Sequence, residues 1–253
     1  MTANGKTVLV TGGSRGIGAA IARQLAAVGM NVVINYASNE GAANEVVRSI
    51  TAAGGVAIAV KGDVSKSDQF AHLFDEAELR FGGLDMLVNN AGQMSPMPIA
   101  DVDEEKFDRL FAINVRGVLN GCKLAAKRLR DGGRIVNITT SVIGMSPPGY
   151  GPYCATKAAV EAITRSFCKE VGHRGIRVNA VAPGPTDTEL LSSANTEERM
   201  KMYASTTPLG RLGQAWDIAG VVVFLATDEA GWVNWFDSPR SSRPRFSTPA
   251  AHE

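Results

Sequence analysis

The segment "TVLVTGGSRGIGAAIARQLAAVG", residues 7–29, decides how the chain folds. It contains a short apolar run, a glycine-rich turn and an amphipathic run at helical spacing, which together predict a strand, a tight turn and a helix. Gly12, Gly16 and Gly18 occupy the turn. Glycine permits positive φ there and lets a ligand come close to the backbone N–H groups. The helix N-terminus then favours a pyrophosphate, so the segment predicts a dinucleotide site. Because the spacing is G-x-x-x-G-x-G rather than G-x-G-x-x-G, a purely structural turn is the alternative.

The same alternation of strand and helix continues along the chain. Further strand candidates are "NVVINY", "VAIAV", "DMLVNN", "RIVNIT" and "IRVNAVA", and each but the last precedes a helical pattern. Continuously apolar strands are typical of a parallel sheet covered on both faces. We therefore predict an α/β fold, a single doubly wound Rossmann-like domain with a mostly parallel sheet flanked by helices on both faces. The domain is expected over residues 1–237, followed by an irregular tail over 238–253.

Composition narrows the classes of partner. The 253 residues carry 26 basic and 25 acidic side chains, so nothing indicates a nucleic-acid or anionic-membrane partner. The N-terminal sequence resembles neither a secretory signal nor a transit peptide, and we expect a cytoplasmic protein. The three cysteines and three histidines lack metal-site spacing, which predicts reduced thiols and no metal site: Cys122, Cys154, Cys168, His72, His173 and His252.

The end of the second strand bears on the choice of cofactor. NAD-binding sites usually place a carboxylate there, whereas this chain has "NYAS" at 35–38. Arg15, with Ser14, Ser38 and Asn39, is suited to a 2′-phosphate, because guanidinium forms charge-assisted bonds to phosphate. NADP is therefore predicted over NAD. The alternatives are a solvated loop cation for Arg15 and a helix N-cap for Ser38.

Tyr153 and Lys157, in "YCATK", lie one helical turn apart at the start of an amphipathic segment. That spacing alone permits a surface contact, a packed core edge or an acid tuned by a nearby cation. Four further motifs bear on the choice: "TGGSRGIG" at 11–18, "NNAG" at 89–92, "NV" at 114–115 and "PG" at 183–184.

With these five motifs in order, the chain resembles the short-chain dehydrogenase/reductase family over residues 5–230, and within it the NADP-dependent carbonyl and 3-oxoacyl-thioester reductases. The resemblance implies reversible hydride transfer between NADPH and a ketone or aldehyde, by a homo-oligomer, tetramer or dimer. It implies that Tyr153 is the general acid or base, that Lys157 stabilises its phenolate and bonds the nicotinamide ribose, and that Asn114 holds a water linking Lys157 to solvent. For Asn114 the alternative is a purely structural polar residue.

The resemblance also implies a third catalytic hydroxyl, and "NITTSVIG" offers more than one. The family's usual separation of thirteen positions from the tyrosine selects Thr140, whereas the surroundings "SVIG" favour Ser141. We predict Ser141 and keep Thr140 as the alternative.

Cofactor contacts follow from the same resemblance. Asp63 is expected to accept from the adenine amine, with a helix N-cap as its alternative, and Asn90 and Gly92 to pass close to the adenosine ribose. The full predicted set is Gly12, Ser14, Arg15, Gly16, Ile17, Gly18, Tyr36, Ser38, Asp63, Val64, Asn90, Gly92, Tyr153, Lys157, Pro183, Gly184, Thr186 and Thr188.

A polar segment over about 186–208 is expected to be a substrate lid. An apolar pocket beneath it would be lined by Met145, Pro148, Tyr150, Leu190 and Tyr203, for each of which ordinary packing is the alternative.

The C-terminal sequence departs from the family. Relatives usually continue with a glycine-rich seventh strand, whereas this chain reads "NWFDSPRSSRPRFSTPAAHE" over 234–253. Because proline cannot donate to a sheet, we predict that at most Trp232 to Phe236 pairs with the sheet and that the usual tetramer is weakened. A non-catalytic dinucleotide-binding regulator and an assembly-impaired variant are the competing hypotheses.

Overall fold

The computed structural model of the chain describes residues 3 and 5–235. Six strands form one sheet in the order β3-β2-β1-β4-β5-β6, and every strand pair is parallel. The strands are β1 (Thr7–Val10), β2 (Asn31–Tyr36), β3 (Val56–Lys61), β4 (Leu84–Asn89), β5 (Leu129–Ile138) and β6 (Arg177–Val181). The predicted doubly wound α/β fold is confirmed.

Helices cover both faces of this sheet. They are α1 (Gly16–Ala27), α2 (Glu40–Ala52), α3 (Ser67–Phe81), α4 (Glu104–Phe111), α5 (Gly117–Arg128), α6 (Gly151–Val171), α7 (Glu189–Ser192), α8 (Glu197–Thr206) and α9 (Ala215–Ala226), with a π-helical segment at Ala112–Arg116 between α4 and α5. Alternate strand residues enter two separate cores, as the two-residue period of a strand requires. Val8 and Ile34 pack with α1, α2 and α9, whereas Leu9 and Val33 pack with α3, α5 and α6.

The strand order reverses at β1, which lies between β2 and β4. In open parallel sheets ligands bind at the carboxyl ends of the strands beside such a reversal. The turn after β1, the loop after β4 and the loop after β5 therefore meet at one edge, which is where the predicted site residues lie.

The end of the described chain contacts the edge strand β6 without forming a regular strand. The Trp235 N–H donates to the Val178 carbonyl at 3.1 Å, and the Val178 N–H donates to Oδ1 of Asn234 at 2.8 Å. The sequence predicts that at most Trp232–Phe236 pairs with the sheet. Within the described residues this pairing consists of one backbone hydrogen bond, donated by Trp235. Phe236 and the predicted tail, 238–253, lie outside them.

None of the helices in the described part of the chain is long and apolar enough to cross a membrane. Over the same residues no group of three or more His, Cys, Asp or Glu side chains is arranged to hold a metal ion.

Candidate active site

The glycine-rich turn after β1 packs against neighbouring backbone so closely that side chains are excluded. Gly12 and Gly16 have φ of +60° and +52°, which side-chain-bearing residues rarely adopt. A Cβ on Gly12 would lie 2.9 Å from the Ala91 Cα. A Cβ on Gly18 would lie 2.3 Å from the Gly12 carbonyl oxygen and 2.5 Å from Nδ2 of Asn90. The turn is therefore a backbone cradle at the N-terminus of α1, the geometry that suits a pyrophosphate.

Thr11 and Asn90 fasten this turn to the loop after β4. Nδ2 of Asn90 donates to the carbonyls of Thr11 and Gly12 at 2.9 and 3.1 Å. Oγ1 of Thr11 accepts from the N–H groups of Asn90 and Ala91, each at 3.0 Å. Sequence reasoning missed Thr11, although a hydroxyl directly after the first strand is the available signal.

Asn35, at the end of β2, is a second residue that the sequence predictions missed. Its buried side chain accepts from the Gly12 N–H at 3.2 Å and donates to the Gly62 carbonyl at 2.9 Å, so it joins the turns after β1 and β3. Tyr36 is buried beside it and Ser38 is exposed. Asn39, whose side chain accepts from the Ala42 N–H, caps α2, so the alternative reading of Ser38 as the N-cap is wrong.

Arg15 forms an ion pair with α7. Its guanidinium donates to Oε2 of Glu189 at 2.9 Å, and both side chains are 68% exposed. Thr188 lies nearby, because a Cβ on Gly16 would be 3.5 Å from its Cγ2. The cation predicted to bind a 2′-phosphate therefore lies at the turn, where the carboxylate of Glu189 is its partner.

Asp63 follows β3 and stabilises the loop in which it lies through hydrogen bonds and an ion pair. Its Oδ1 accepts from the N–H and the hydroxyl of Ser65 at 2.9 and 2.7 Å, and its Oδ2 pairs with Arg109 at 3.1 Å. Burial raises the pKa of Asp63, but the bonds from Ser65 and Arg109 outweigh it and lower the pKa overall. Since Lys66 is the N-cap residue of α3, the N-cap alternative for Asp63 is wrong. Val64, the next residue, is buried and its carbonyl accepts from Asn120.

Tyr153 and Lys157 lie on the buried face of α6, directed at the carboxyl end of β5. Lys157 is 6% exposed and its Nζ donates to the Ile138 carbonyl at 2.8 Å. Burial lowers the pKa of Lys157 to about 8. Burial also raises the pKa of Tyr153 to about 12, a rise that a hydrogen bond from Thr140 opposes. Tyr153 is therefore a protonated phenol at neutral pH and has a proton to donate.

The two candidate hydroxyls occupy different surroundings. Oγ1 of Thr140 accepts from the Val142 N–H at 3.3 Å and so caps the short 3-10 helix that begins at Ser141. Ser141 is exposed, its hydroxyl lies close to Gly184, and its N–H donates to the Pro183 carbonyl at 3.0 Å. Both hydroxyls thus lie just after β5, and the choice of Ser141 as the catalytic hydroxyl stays a prediction.

Asn114 lies at the centre of the π-helical segment and is fully buried. Its Oδ1 accepts from the Gln93 N–H at 2.8 Å, while its Nδ2 donates to the Gln93 carbonyl at 2.9 Å and to Oγ1 of Thr156 at 3.1 Å. A Cβ on Gly92 would lie 3.4 Å from Oδ1 of Asn114 and 3.6 Å from Nζ of Lys157, so these three residues meet. Single-turn π-helices occur often at functional sites. The water that Asn114 is predicted to hold stays a prediction.

The segment after β6 leads into α7 and α8, which fall within the predicted lid. Oγ1 of Thr186 donates to the Gly184 carbonyl at 2.9 Å, and Thr188 caps α7. Of the predicted pocket residues, Tyr150 is buried and Tyr203 is partly buried, whereas Met145, Pro148 and Leu190 are exposed. The structure therefore brings the two tyrosines together and leaves the other three at the surface.

Comparison with known proteins identifies the family. A family model described as enoyl-(acyl carrier protein) reductase matches residues 12–234. An uncharacterized oxidoreductase of Methylorubrum extorquens is 48% identical over 231 residues, covering 90% of this chain and 93% of that protein. The short chain dehydrogenase/reductase AacuN of Aspergillus aculeatus is 42% identical over 242 residues, covering 91% and 92%.

Solved structures agree. A short-chain dehydrogenase/reductase from Serratia marcescens superposes with a TM-score of 0.88 at 36% identity, covering 92% of this chain and 95% of that one. A short-chain dehydrogenase from Burkholderia cenocepacia, solved in complex with NADP, gives a TM-score of 0.86 at 38% identity, covering 91% and 94%. The chain belongs to the short-chain dehydrogenase/reductase family, which makes it an oxidoreductase that uses a nicotinamide dinucleotide and acts on small molecules.

Proposed function

We propose that this protein is an NADPH-dependent reductase of a ketone or aldehyde, working reversibly with Tyr153 as the general acid and base. The observation that carries the proposal is the pairing of two buried titratable groups one helical turn apart, with a raised pKa at Tyr153 and a lowered pKa at Lys157. Both lie at the strand ends that also carry the glycine-rich cradle. Strongly perturbed pKa values cluster at functional sites, and both of these shifts arise from burial at the strand ends.

The chain's own residues divide the work at the substrate carbonyl. NADPH, when bound, supplies the hydride. Tyr153 donates its phenolic proton to the carbonyl oxygen as negative charge develops there. The hydroxyl of Ser141, exposed beside Gly184, is the proposed second donor to that oxygen, with Thr140 as the alternative. Lys157 stabilises the phenolate that remains, and Asn114, through a water, completes the route by which the proton is replaced.

NADP is the proposed cofactor in preference to NAD. No acidic residue stands at 35–38, and Arg15 lies at the N-terminus of α1. Displacing the Glu189 carboxylate would free the Arg15 guanidinium for a 2′-phosphate, which it binds with charge-assisted bonds. The family members solved with NADP and with NADPH support this choice.

The test is the Tyr153→Phe variant, assayed against a panel of ketones and aldehydes by NADPH absorbance. Because the lost hydroxyl acts in the transition state, kcat should fall to near zero while the Kd for NADPH stays almost unchanged. Retention of a tenth or more of wild-type turnover would contradict the assignment. If the wild type bound NADPH but did not oxidise it in the presence of any carbonyl of the panel, the competing hypothesis of a non-catalytic regulator would be favoured.

The proposal also includes a homo-oligomer, tetramer or dimer, acting in the cytoplasm on a small carbonyl or alcohol substrate. The lid is proposed to span about 186–208 and to close over that substrate. Within this span α7 and α8 have no buried residue, which is the packing expected of a segment that opens.

A further inference from the structure

Tyr150 lies between the catalytic helix and the lid. It is the N-cap residue of α6, three positions before Tyr153, and it is 3% exposed. The rings of Tyr150 and Tyr153 meet edge to face, with centroids 6.4 Å apart and an interplanar angle of 74°. Aromatic pairs prefer this arrangement, so the position of one ring constrains the other. Contacts that fix the position of the Tyr150 ring therefore also restrict the position of the Tyr153 ring.

The hydroxyl of Tyr150 meets two polar groups of the lid. It donates to Oδ1 of Asn195, between α7 and α8, at 3.1 Å. The hydroxyl of Tyr203, in α8, lies 3.4 Å from the same Asn195 oxygen and 3.4 Å from the Tyr150 oxygen. Two phenols from different elements thus converge on one amide oxygen.

The orientation of the Asn195 amide is fixed from its other side. Its Nδ2 donates to the Leu191 carbonyl at the end of α7 at 2.8 Å, so its oxygen is the end that faces the phenols. The Arg199 guanidinium lies 5.9 Å from the centroid of the Tyr150 ring, within cation–π range. Three lid residues therefore contact a single residue of the catalytic helix.

These polar contacts matter because α7 and α8 have few other contacts that hold them. Glu189 forms an exposed ion pair with Arg15, but neither helix fully buries a residue, so apolar packing contributes little to their positions. Segments with few buried apolar contacts open at low free-energy cost. A small number of hydrogen bonds at one point is then enough to bias the lid between its open and closed positions.

We propose that Tyr150 is a positioning residue that latches the lid, residues 186–208, over Tyr153. Its hydroxyl, bonded to Asn195 and adjacent to Tyr203, holds the lid closed, and its ring holds Tyr153 in place for proton transfer. The latch deepens the proposed function. The predicted change in KM depends on that function, whereas the predicted change in lid opening does not.

Limited trypsin digestion tests the latch without any reaction. Arg199 and Lys201 lie exposed on α8 and report lid opening. Tyr150→Phe keeps the ring and removes the donor, so cleavage at these two sites should accelerate by about fivefold, the order expected for one lost hydrogen bond. Thermal unfolding should stay near that of wild type. Ser205→Ala, which removes a lid hydroxyl bonded only to the Met202 carbonyl, is the matched control and should leave cleavage unchanged.

Coupling between the two partners gives a second measurement. If Tyr150 acts through Asn195, the Tyr150→Phe/Asn195→Ala double variant should be cleaved no faster than the faster single variant. Wild-type cleavage in Tyr150→Phe, or additive acceleration in the double variant, would overturn the latch. Should Tyr150→Phe prove unstable, Asn195→Ala alone must accelerate cleavage at Arg199 and Lys201 for the latch to stand.

Kinetics with NADPH and the best carbonyl of the panel test the positioning role. Tyr150→Phe should raise the KM for the carbonyl by up to about fivefold and change kcat less, because the lid would close over substrate less often. A structural defect alone would lower the active fraction and leave KM unchanged, and that result would overturn the positioning role. If wild type turned over no carbonyl, the proposed function would fail, while the proteolysis result would still decide the latch.

Discussion

At the scale of single residues, the candidate chemistry depends on burial more than on residue type. Tyr153 and Lys157 carry ordinary side chains whose pKa values move in opposite senses for the same reason, which is that each buried charged form is disfavoured. The pKa of each group still lies above neutral pH, so Tyr153 is a protonated phenol and Lys157 remains largely a cation. A proton donor therefore lies one helical turn from a positive charge.

The first residue-scale prediction decides between the two hydroxyls. The Thr140 hydroxyl is engaged by the Val142 N–H, whereas the Ser141 hydroxyl is exposed near Gly184. Ser141→Ala should therefore lower kcat by about a hundredfold, the usual effect of losing a preorganised donor, and Thr140→Val should lower it by much less. Steady-state assays with NADPH and one carbonyl substrate measure both. The reverse order would make Thr140 the catalytic hydroxyl.

The second residue-scale prediction concerns pH and stability. The pKa of Lys157 is about 8 in the folded protein against 10.5 ordinarily, so between these pH values the unfolded chain binds more protons than the folded one. The free energy of unfolding contributed by this group therefore rises from pH 8 to 10.5 and is lowest, and constant, below pH 8.

Urea unfolding of wild type and Lys157→Met from pH 7 to 10 measures this effect. The stability of wild type relative to the variant should increase by about 2–3 kcal/mol over that range. The raised pKa of Tyr153 acts in the opposite sense only above pH 10, outside the window. Lys123→Met, at an exposed lysine of α5, should show no such trend. A flat difference for Lys157→Met would contradict the burial effect.

At the scale of elements, the site depends on contacts between loops that are distant in sequence. The turn after β1 contacts the loop after β4 through Asn90, the turn after β3 through Asn35, and α7 through Arg15. Each contact joins the carboxyl end of one strand to another element, so the cradle is a property of the sheet order as well as of its glycines.

The two helix glycines Gly18 and Gly220 should respond oppositely to alanine. A Cβ on Gly18 would overlap the Gly12 carbonyl, whereas one on Gly220, exposed in α9, meets nothing within 4 Å. Gly18→Ala should cost about 2 kcal/mol or more of stability through overpacking, together with cofactor affinity. Gly220→Ala should add up to about 1 kcal/mol through helix propensity. Thermal unfolding compares them, and equal effects would contradict the close packing at Gly18.

The ion pair between the turn and the lid predicts cofactor selectivity. Arg15→Ala should weaken NADPH binding and spare NADH, because only NADPH presents a 2′-phosphate to the guanidinium. Glu189→Gln should tighten NADPH binding, because it removes the carboxylate that competes for Arg15. Fluorescence titrations of both nucleotides provide the Kd values. Tighter NADH than NADPH binding in wild type would reverse the cofactor assignment.

At the scale of the whole molecule, the edge of β6 is the feature that bears on assembly. A groove of about 550 Å³ runs beside it, lined by Val181, Val221, Phe224 and Trp235 among others. Within the described residues only Asn234 and Trp235 hydrogen-bond the β6 backbone from that side. An uncovered edge strand is open to pairing with another segment, so the stability of subunit association here depends on what fills the edge.

We therefore predict an oligomer that dissociates on dilution. Sedimentation velocity from about 100 to 1 μM should show a concentration-dependent mass, as expected of a marginal interface. Removal of residues 238–253 should leave that behaviour unchanged. A tetramer that survives dilution with the tail intact, and that loses mass when the tail is removed, would show that the tail supports assembly.

The class of fold and the chemical groups present in the site follow from the sequence alone. The alternation of apolar strands and amphipathic helices specifies a parallel sheet covered on both faces, because burial on both faces requires continuous apolar strands. The glycine-rich turn and the spacing of Tyr153 and Lys157 are local patterns, readable wherever i and i+4 share a helix face.

Tertiary structure alone decided which groups meet. The contacts of Asn35 and Thr11, the pairing of Arg15 with Glu189 and the convergence on Asn195 join residues from elements far apart in sequence. Such contacts depend on strand order and on the direction of side chains at strand ends, which no local periodicity encodes. The pKa shifts belong to the same category, because burial is a property of the packed molecule.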